Sequence, residues 1–282
     1  MIPGLEAAYG GRKLAARVAT LACGVAVAIA IVPLLAILVY VAQRGLSALS
    51  WSFFSELPRP VGERGGGMAN AIVGTLELVG LASVMGIPIG IAAGLFLAEY
   101  RTTALARTVR FSADVLAGVP SILVGVVVYS TIVVRYRHFS AFAGAASLAV
   151  LMLPLVARTT DELARTVPES LREAALALGA SRWRIAIHVV LRTAAPGIRA
   201  GCMLAIARVS GETAPLLFTA FNNRFWNESF ADPTSSLQVQ IFTYTMSPYD
   251  DWHAQAWAAA LVLVALVIVL NLAARRVLRG PK

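Results

Sequence analysis

The sequence predicts an all-α, polytopic membrane protein with six transmembrane helices, and three observations predict it. Of its 282 residues 58% are hydrophobic and 14% charged, with a mean hydropathy of +0.74, against about a quarter charged in a soluble domain. Six stretches stay apolar for about the 20 residues that a helix needs to cross a bilayer. The cationic residues gather in alternate connections between those stretches, as positive-inside sorting requires.

The first span, residues 19–42, carries no formal charge. It exceeds the roughly 7–15 apolar residues of a signal peptide, and "VYVAQRGL" after it offers no small-x-small cleavage site. The run "GERGGGMAN" that follows reads as a flexible outer loop. The second span, 70–98, holds only Glu77, which lies toward its outer end and receives no role. The third, 115–134, the fourth, 139–157, and the sixth, 255–274, are free of charge. The fifth, 200–221, contains Arg208 and Glu212. Pro88, Pro120 and Pro215 interrupt three of these spans; each removes a backbone donor, which a membrane tolerates where neighbours or a cavity satisfy the freed carbonyls. The two readings are ordinary helix bending and a lined pathway.

Two connections, 158–199 and 222–254, are longer than the usual 2–8 residues between helices. No linker or internal repeat divides the chain, so residues 1–282 read as a single transmembrane domain. With the N-terminus inside, the cytoplasmic pieces hold 17 Lys and Arg and the outer pieces 6. Both termini are therefore expected in the cytoplasm. The net charge of +9 then reflects basic loops facing anionic lipid rather than nucleic acid. Cys23 and Cys202 fall inside spans, which argues against a disulfide framework. His138, His188 and His253 are scattered, with no metal-ligand spacing. A membrane-embedded enzyme would need a nucleophile or metal constellation that these residues do not supply.

The stretch "TVPESLREAALALGASRWRIAIHVVLRTAAPGI" reads as two short helices with a joint. Pro168 suits a first helical turn and Glu169 complements its positive end. Leu171, Ala174, Ala175 and Leu178 recur at helical spacing and make one apolar stripe. Gly179 is placed as a C-terminal cap and Ser181 as the next N-cap. Such a helix either docks in a partner's groove or lies on the lipid surface.

The run Glu173-Ala174-Ala175-x-x-x-Gly179 resembles the EAA loop of ABC-importer permeases, in which this loop is the coupling helix seated in a cleft of the ATPase subunit. The family pattern continues Ile-x-Leu-Pro; here Val189, Leu191 and Arg192 stand at those places, so the Pro is missing. "AIARVSGETAPLLFTA", "NNRFW" and "MSPYDDW", with "NAIVGT", "GIPIGI", "AEY" and "GVPSI" earlier, resemble the PstA-type permeases of bacterial phosphate-specific ABC transporters over residues 65–275. The resemblance implies a type I ABC-importer permease fold in a bacterial cytoplasmic membrane and transport of inorganic phosphate. It also implies a sister permease (PstC-type), two copies of an ATPase (PstB-type) and an extracytoplasmic phosphate-binding protein (PstS-type). ATP and Mg would be bound by the ATPase and no cofactor by this chain. The only lysines are Lys13 and Lys282, so no Gly-Lys-Ser/Thr phosphate loop exists here and the ATPase is expected on another polypeptide. An importer for another oxyanion, or an ATPase-independent carrier or channel, are the alternatives.

A charge at mid-bilayer costs about 2.5–3.5 kcal/mol on insertion scales. At 1.5 Å per residue Arg208 would lie about 12–17 Å into a core about 30 Å thick, with Glu212 a turn further on the same face. They read as a structural ion pair or as an anion transit site in which the guanidinium fork meets phosphate oxygens. In the second reading Glu212 keeps binding weak enough for release. Ser210 and Thr213 are candidate hydroxyl donors beside them.

Overall fold

The computed structural model describes residues 3–60, 63 and 65–278. Arg64, Arg279 and Lys282, three of the cations counted above, lie outside the described residues. In chain order α1 is Pro3–Leu46, α2 Trp51–Ser55, α3 Ala69–Glu99, α4 Ala104–Gly118, α5 Ser121–Val128 and α6 Val134–Tyr136. They are followed by α7 Ala141–Arg165, α8 Glu169–Ala177, α9 Arg182–Ile185, α10 Leu191–Val209, α11 Ala214–Thr219, α12 Leu237–Thr245 and α13 Asp250–Leu278. π-helical turns at Tyr129–Val133 and Ala186–Val190 join α5 to α6 and α9 to α10.

Five helical stretches are long and apolar enough to cross a bilayer; α4 with α5–α6, bent by 105°, makes a sixth if it counts as one span. The second span matches α3 to within a residue. The others move. The third does not start at residue 115: α4 ends at Gly118, and the chain turns at Val119–Pro120 before α5. Pro120 holds an extended backbone there (ψ 133°), which sets the elbow. The fourth runs on to Arg165, two turns into the stretch assigned to the cytoplasmic loop. The fifth is not residues 200–221. A continuous helix runs from Arg182 to Val209, so the second of the two short helices is the start of a span. Arg192 and Arg199 look like loop residues in sequence, but both sit exposed on its surface.

That helix stops at Ser210–Thr213 and restarts as α11. Gly211 N–H bonds the Arg208 carbonyl at 3.2 Å and Glu212 N–H the Val209 carbonyl at 3.1 Å, the tightened last turn of a helix that ends. Pro215 does not kink a span; it occupies the first turn of α11, where its missing N–H is harmless. Pro88 does lie inside α3, as do Pro33, Pro154 and Pro196 inside α1, α7 and α10.

The most extensive packing joins α3 to α7. Gly86, Gly90 and Gly94 recur every four residues and so share one face. A Cβ on Gly90 would lie 2.7 Å from Val156 Cβ, and one on Gly94 2.5 Å from the Ala157 carbonyl oxygen. Small residues at this spacing let two backbones approach in a membrane, where no hydrophobic force between helices exists. α1 packs on α13, with Tyr40 edge-on to Trp257 at 5.2 Å between ring centroids.

The glycine run before α3 is fitted rather than loose. Gly67 N–H bonds the Leu57 carbonyl at 3.1 Å, and Gly66 (φ +80°) would bring a Cβ within 2.8 Å of Arg59 Cγ. The long connection 222–236 also threads back into the bundle. Asn70 donates to the Asn223 carbonyl at 2.7 Å, Thr75 accepts from Leu237 N–H at 2.9 Å, and Gln238 donates to the Ser210 carbonyl. Glu77, without a role in the sequence, accepts from Asn227 at 2.7 Å and so ties α3 to this connection.

Candidate functional site

Two features stand out, a cleft at the α10–α11 break and the exposed helix α8. The cleft forms because α11 packs on α5. Gly125 permits the approach, since a Cβ there would lie 2.6 Å from Pro215 Cα. Between the elbow, α7 and the break a cleft of about 380 Å³ remains, lined by Pro120, Ser121, Pro154, Arg158, Arg208 and Glu212 among others.

Arg208, in the last turn of α10, is exposed and Glu212, past the helix end, is half-buried. Among the described residues neither takes part in an ion pair within 4.0 Å. The expected placement on one continuous helical face is therefore corrected: the helix ends between them, and both still reach the same cleft. Arg158 on α7 is a further cation in it, which the sequence did not single out because it stands at the first position past a predicted span. It binds Glu162 at 3.1 Å and Asp114 at 3.7 Å, so its charge is partly balanced and that of Arg208 is not. The first turn of α5 opens on the same space, and a helix N-terminus favours negative charge.

Ser210 sits apart from this cleft. It is fully buried, its hydroxyl donates to the Ile206 carbonyl at 2.7 Å, and it borders a separate cavity against Val267 and Asn271 of α13. Thr213 holds the N-cap position of α11, where its carbonyl accepts from Leu216 and Leu217 N–H at 3.1 and 3.3 Å.

The second feature carries Glu173, Ala174, Ala175 and Gly179. α8 starts after Pro168 and ends in a Schellman turn: Gly179 N–H bonds the Leu176 carbonyl at 2.8 Å and Ala180 N–H the Ala175 carbonyl at 3.1 Å. Gly179 has φ +80°, a region that side chains with a Cβ avoid. Ser181 is the next N-cap by backbone geometry, without a side-chain cap bond. The apolar stripe faces outward: Leu171 is 44% and Leu178 89% exposed, and Glu173 and Ala174 are exposed as well, while Ala175 packs on the core.

No local motif marks what holds α8 in place. Arg172, only 11% exposed, pairs with Glu99 at the end of α3 and donates to the Ala164 carbonyl of α7 at 2.8 Å. Nearby, buried Asp161 receives Arg165 at 2.7 Å and Arg110 of α4 at 3.3 Å, fixing α4 to the same end of the bundle.

The described residues thus form a bundle of apolar helices with a broken span beside a charged cleft and an exposed, capped helix; the comparisons with known proteins make it a membrane permease of the ABC-importer class. Residues 86–281 match the family described as binding-protein-dependent transport system inner membrane component. The chain belongs to that family, and within it to the PstA permeases. It is 45% identical to the phosphate transport system permease protein PstA of Yersinia pestis, over 85% of this chain and 81% of that protein. It is 37% identical to PstA 1 of Mycobacterium tuberculosis (strain H37Rv), over 93% and 87%. Among solved structures, an inward-facing MetNI methionine ABC transporter aligns with a TM-score of 0.64 at 22% identity, covering 74% of this chain and 94% of that one. A bacterial alginate ABC transporter aligns at 0.64 and 15%, covering 88% and 91%. At these identities the structural likeness concerns the fold alone.

Proposed function

We propose that this chain is the permease subunit of an ATP-driven phosphate importer, lining the pathway together with a PstC-type sister permease. A PstB-type ATPase, in two copies, docks on α8, and a PstS-type binding protein delivers phosphate at the opposite face. ATP and Mg are bound by the ATPase. The kinship with PstA permeases over most of the chain supports the substrate, and the exposed α8 stripe supports the docking. The 17-to-6 distribution of Lys and Arg supports cytoplasmic termini and a cytoplasmic α8.

One observation carries the transit site: Arg208 enters the cleft without an anionic partner. An unpaired guanidinium presents its fork to phosphate oxygens, while Glu212 in the same cleft opposes the anion and keeps it from binding too tightly to leave. Arg158 and the α5 N-terminus add positive potential on the facing wall.

The test is uptake of inorganic phosphate into proteoliposomes holding the permease pair, the ATPase and the binding protein. Uptake that needs ATP and resists excess sulfate supports the reading. Uptake without ATP would favour a secondary carrier, and sulfate competing equally would favour a permease for other oxyanions.

A further inference from the structure

We propose that Arg172 is a positioning residue that makes α8 drive both walls of the cleft together; the proposal rests on α8 being the ATPase-docking helix. α8 is joined to the cleft by its backbone at both ends and by one side chain. Residues 166–168 lead back into α7, and α9 with the π turn leads on into α10, which ends at Arg208 and the break before Glu212. The side chain is that of Arg172, which spans the 166–168 joint and reaches α3 as well. Its Nη1 meets the Glu99 carboxylate at the end of α3, its Nη2 bonds the Ala164 carbonyl at 2.8 Å, and its Nε lies 3.7 Å from Glu169 of α8 itself.

One guanidinium thus clamps the ends of three helices. Glu99 is 17% exposed and Arg172 11%, so water does little to loosen the pair. Beyond it, α3 and α7 move as one body, because Gly86, Gly90 and Gly94 leave no slack between them. α7 carries Pro154 and Arg158 into the cleft. A displacement of α8 therefore pulls the Arg208 wall through α9, and the α7 wall with Arg158 through the 166–168 joint that Arg172 stiffens by holding Ala164 and Glu99. With the clamp cut, the ATPase still moves α8 and α10, but the 166–168 joint bends, the α3–α7 wall follows only in part, and less phosphate is moved per ATP hydrolysed.

The experiment measures phosphate uptake and ATP hydrolysis in the same proteoliposomes for Arg172→Met, Glu99→Gln and the swapped Arg172→Glu/Glu99→Arg. An Ala174→Cys cross-link to the ATPase reports docking. The expected result is an intact cross-link, continued hydrolysis and phosphate transported per ATP reduced about tenfold in the single variants, within the usual range of coupling between sites, with substantial recovery in the swap. Unchanged transport per ATP in the single variants overturns the proposal. Loss of the cross-link in them also overturns it, because the pair would then only shape α8. Absence of the cross-link in the wild type fails the docking reading instead, a distinct outcome. Should the single variants not assemble, Arg172→Lys decides: it keeps the charge but loses the fork that reaches both Glu99 and Ala164. Lowered transport per ATP in it supports the proposal and an unchanged ratio overturns it.

Discussion

Arg208 and Glu212 share a cleft without pairing, on the two sides of a helix end. A structural ion pair predicts that neutralising both partners relieves a desolvation cost and leaves function intact. The unpaired geometry predicts the opposite. Arg208→Gln with Glu212→Gln should reach normal membrane levels and bind the ATPase yet take up no phosphate. Uptake near wild type would remove the transit site from Arg208.

Arg208→Lys keeps the charge and loses the planar fork. Uptake should fall by about tenfold or more, since one lost charge-assisted hydrogen bond is worth about 1.5–3 kcal/mol. The fall should appear as a lower maximal rate at saturating binding protein, which a change in binding-protein docking would not produce.

The α3–α7 seam predicts a sharp contrast between two glycines of one helix. Gly90→Val would drive its Cβ to 2.7 Å from Val156 Cβ, whereas Gly80 has nothing within 4 Å. Overpacking of this kind costs about 1–3 kcal/mol. Thermal unfolding in detergent, followed through exposure of the buried thiol of Cys202, should shift downward for Gly90→Val and hold for Gly80→Ala.

How far the sequence reveals the molecule depends on where its charges sit. α3 is legible to within a residue because "AIVGTLELVGLASVMGIPIGIAAG" carries no charge but Glu77 and Pro88 stays inside the helix. The fifth span is misplaced because Arg192 and Arg199 look like loop residues, although a helix surface can carry them. The break at Ser210–Thr213 had a signal in the Ser-Gly dipeptide and Pro215, masked by the hydropathy of "APLLFTAF". Gly179 was legible because a capping glycine is a local rule. The Arg172–Glu99 clamp joins positions 73 residues apart, and no periodicity or local motif connects them.

The proposed orientation rests on the Lys and Arg distribution and can be tested with two cysteines in a background lacking Cys23 and Cys202. Ala231→Cys lies on the connection 222–236 and Ser181→Cys just past α8, and both positions are exposed. An impermeant thiol reagent added outside intact cells should label the first and spare the second until the cells are opened. Labelling of Ser181→Cys from outside would invert the topology and take α8 away from any cytoplasmic ATPase.

The α8 stripe separates docking from a role on the lipid surface. Leu178 is 89% exposed and its backbone N–H bonds the Ala174 carbonyl in the last turn of α8, so Leu178→Asp should leave the isolated permease as stable as wild type. In a docked helix the same carboxylate would be buried unpaired in an apolar groove, which costs heavily, and ATPase co-purification should fail. Gly179 supplies the matching backbone test. At φ +80° asparagine is tolerated and a β-branched residue is not. Gly179→Asn should therefore retain most uptake, while Gly179→Val should insert normally and lose it, because α9 would leave the cap in the wrong direction. ATPase association that survives both Leu178→Asp and Gly179→Val would place α8 on lipid instead of in a partner's groove.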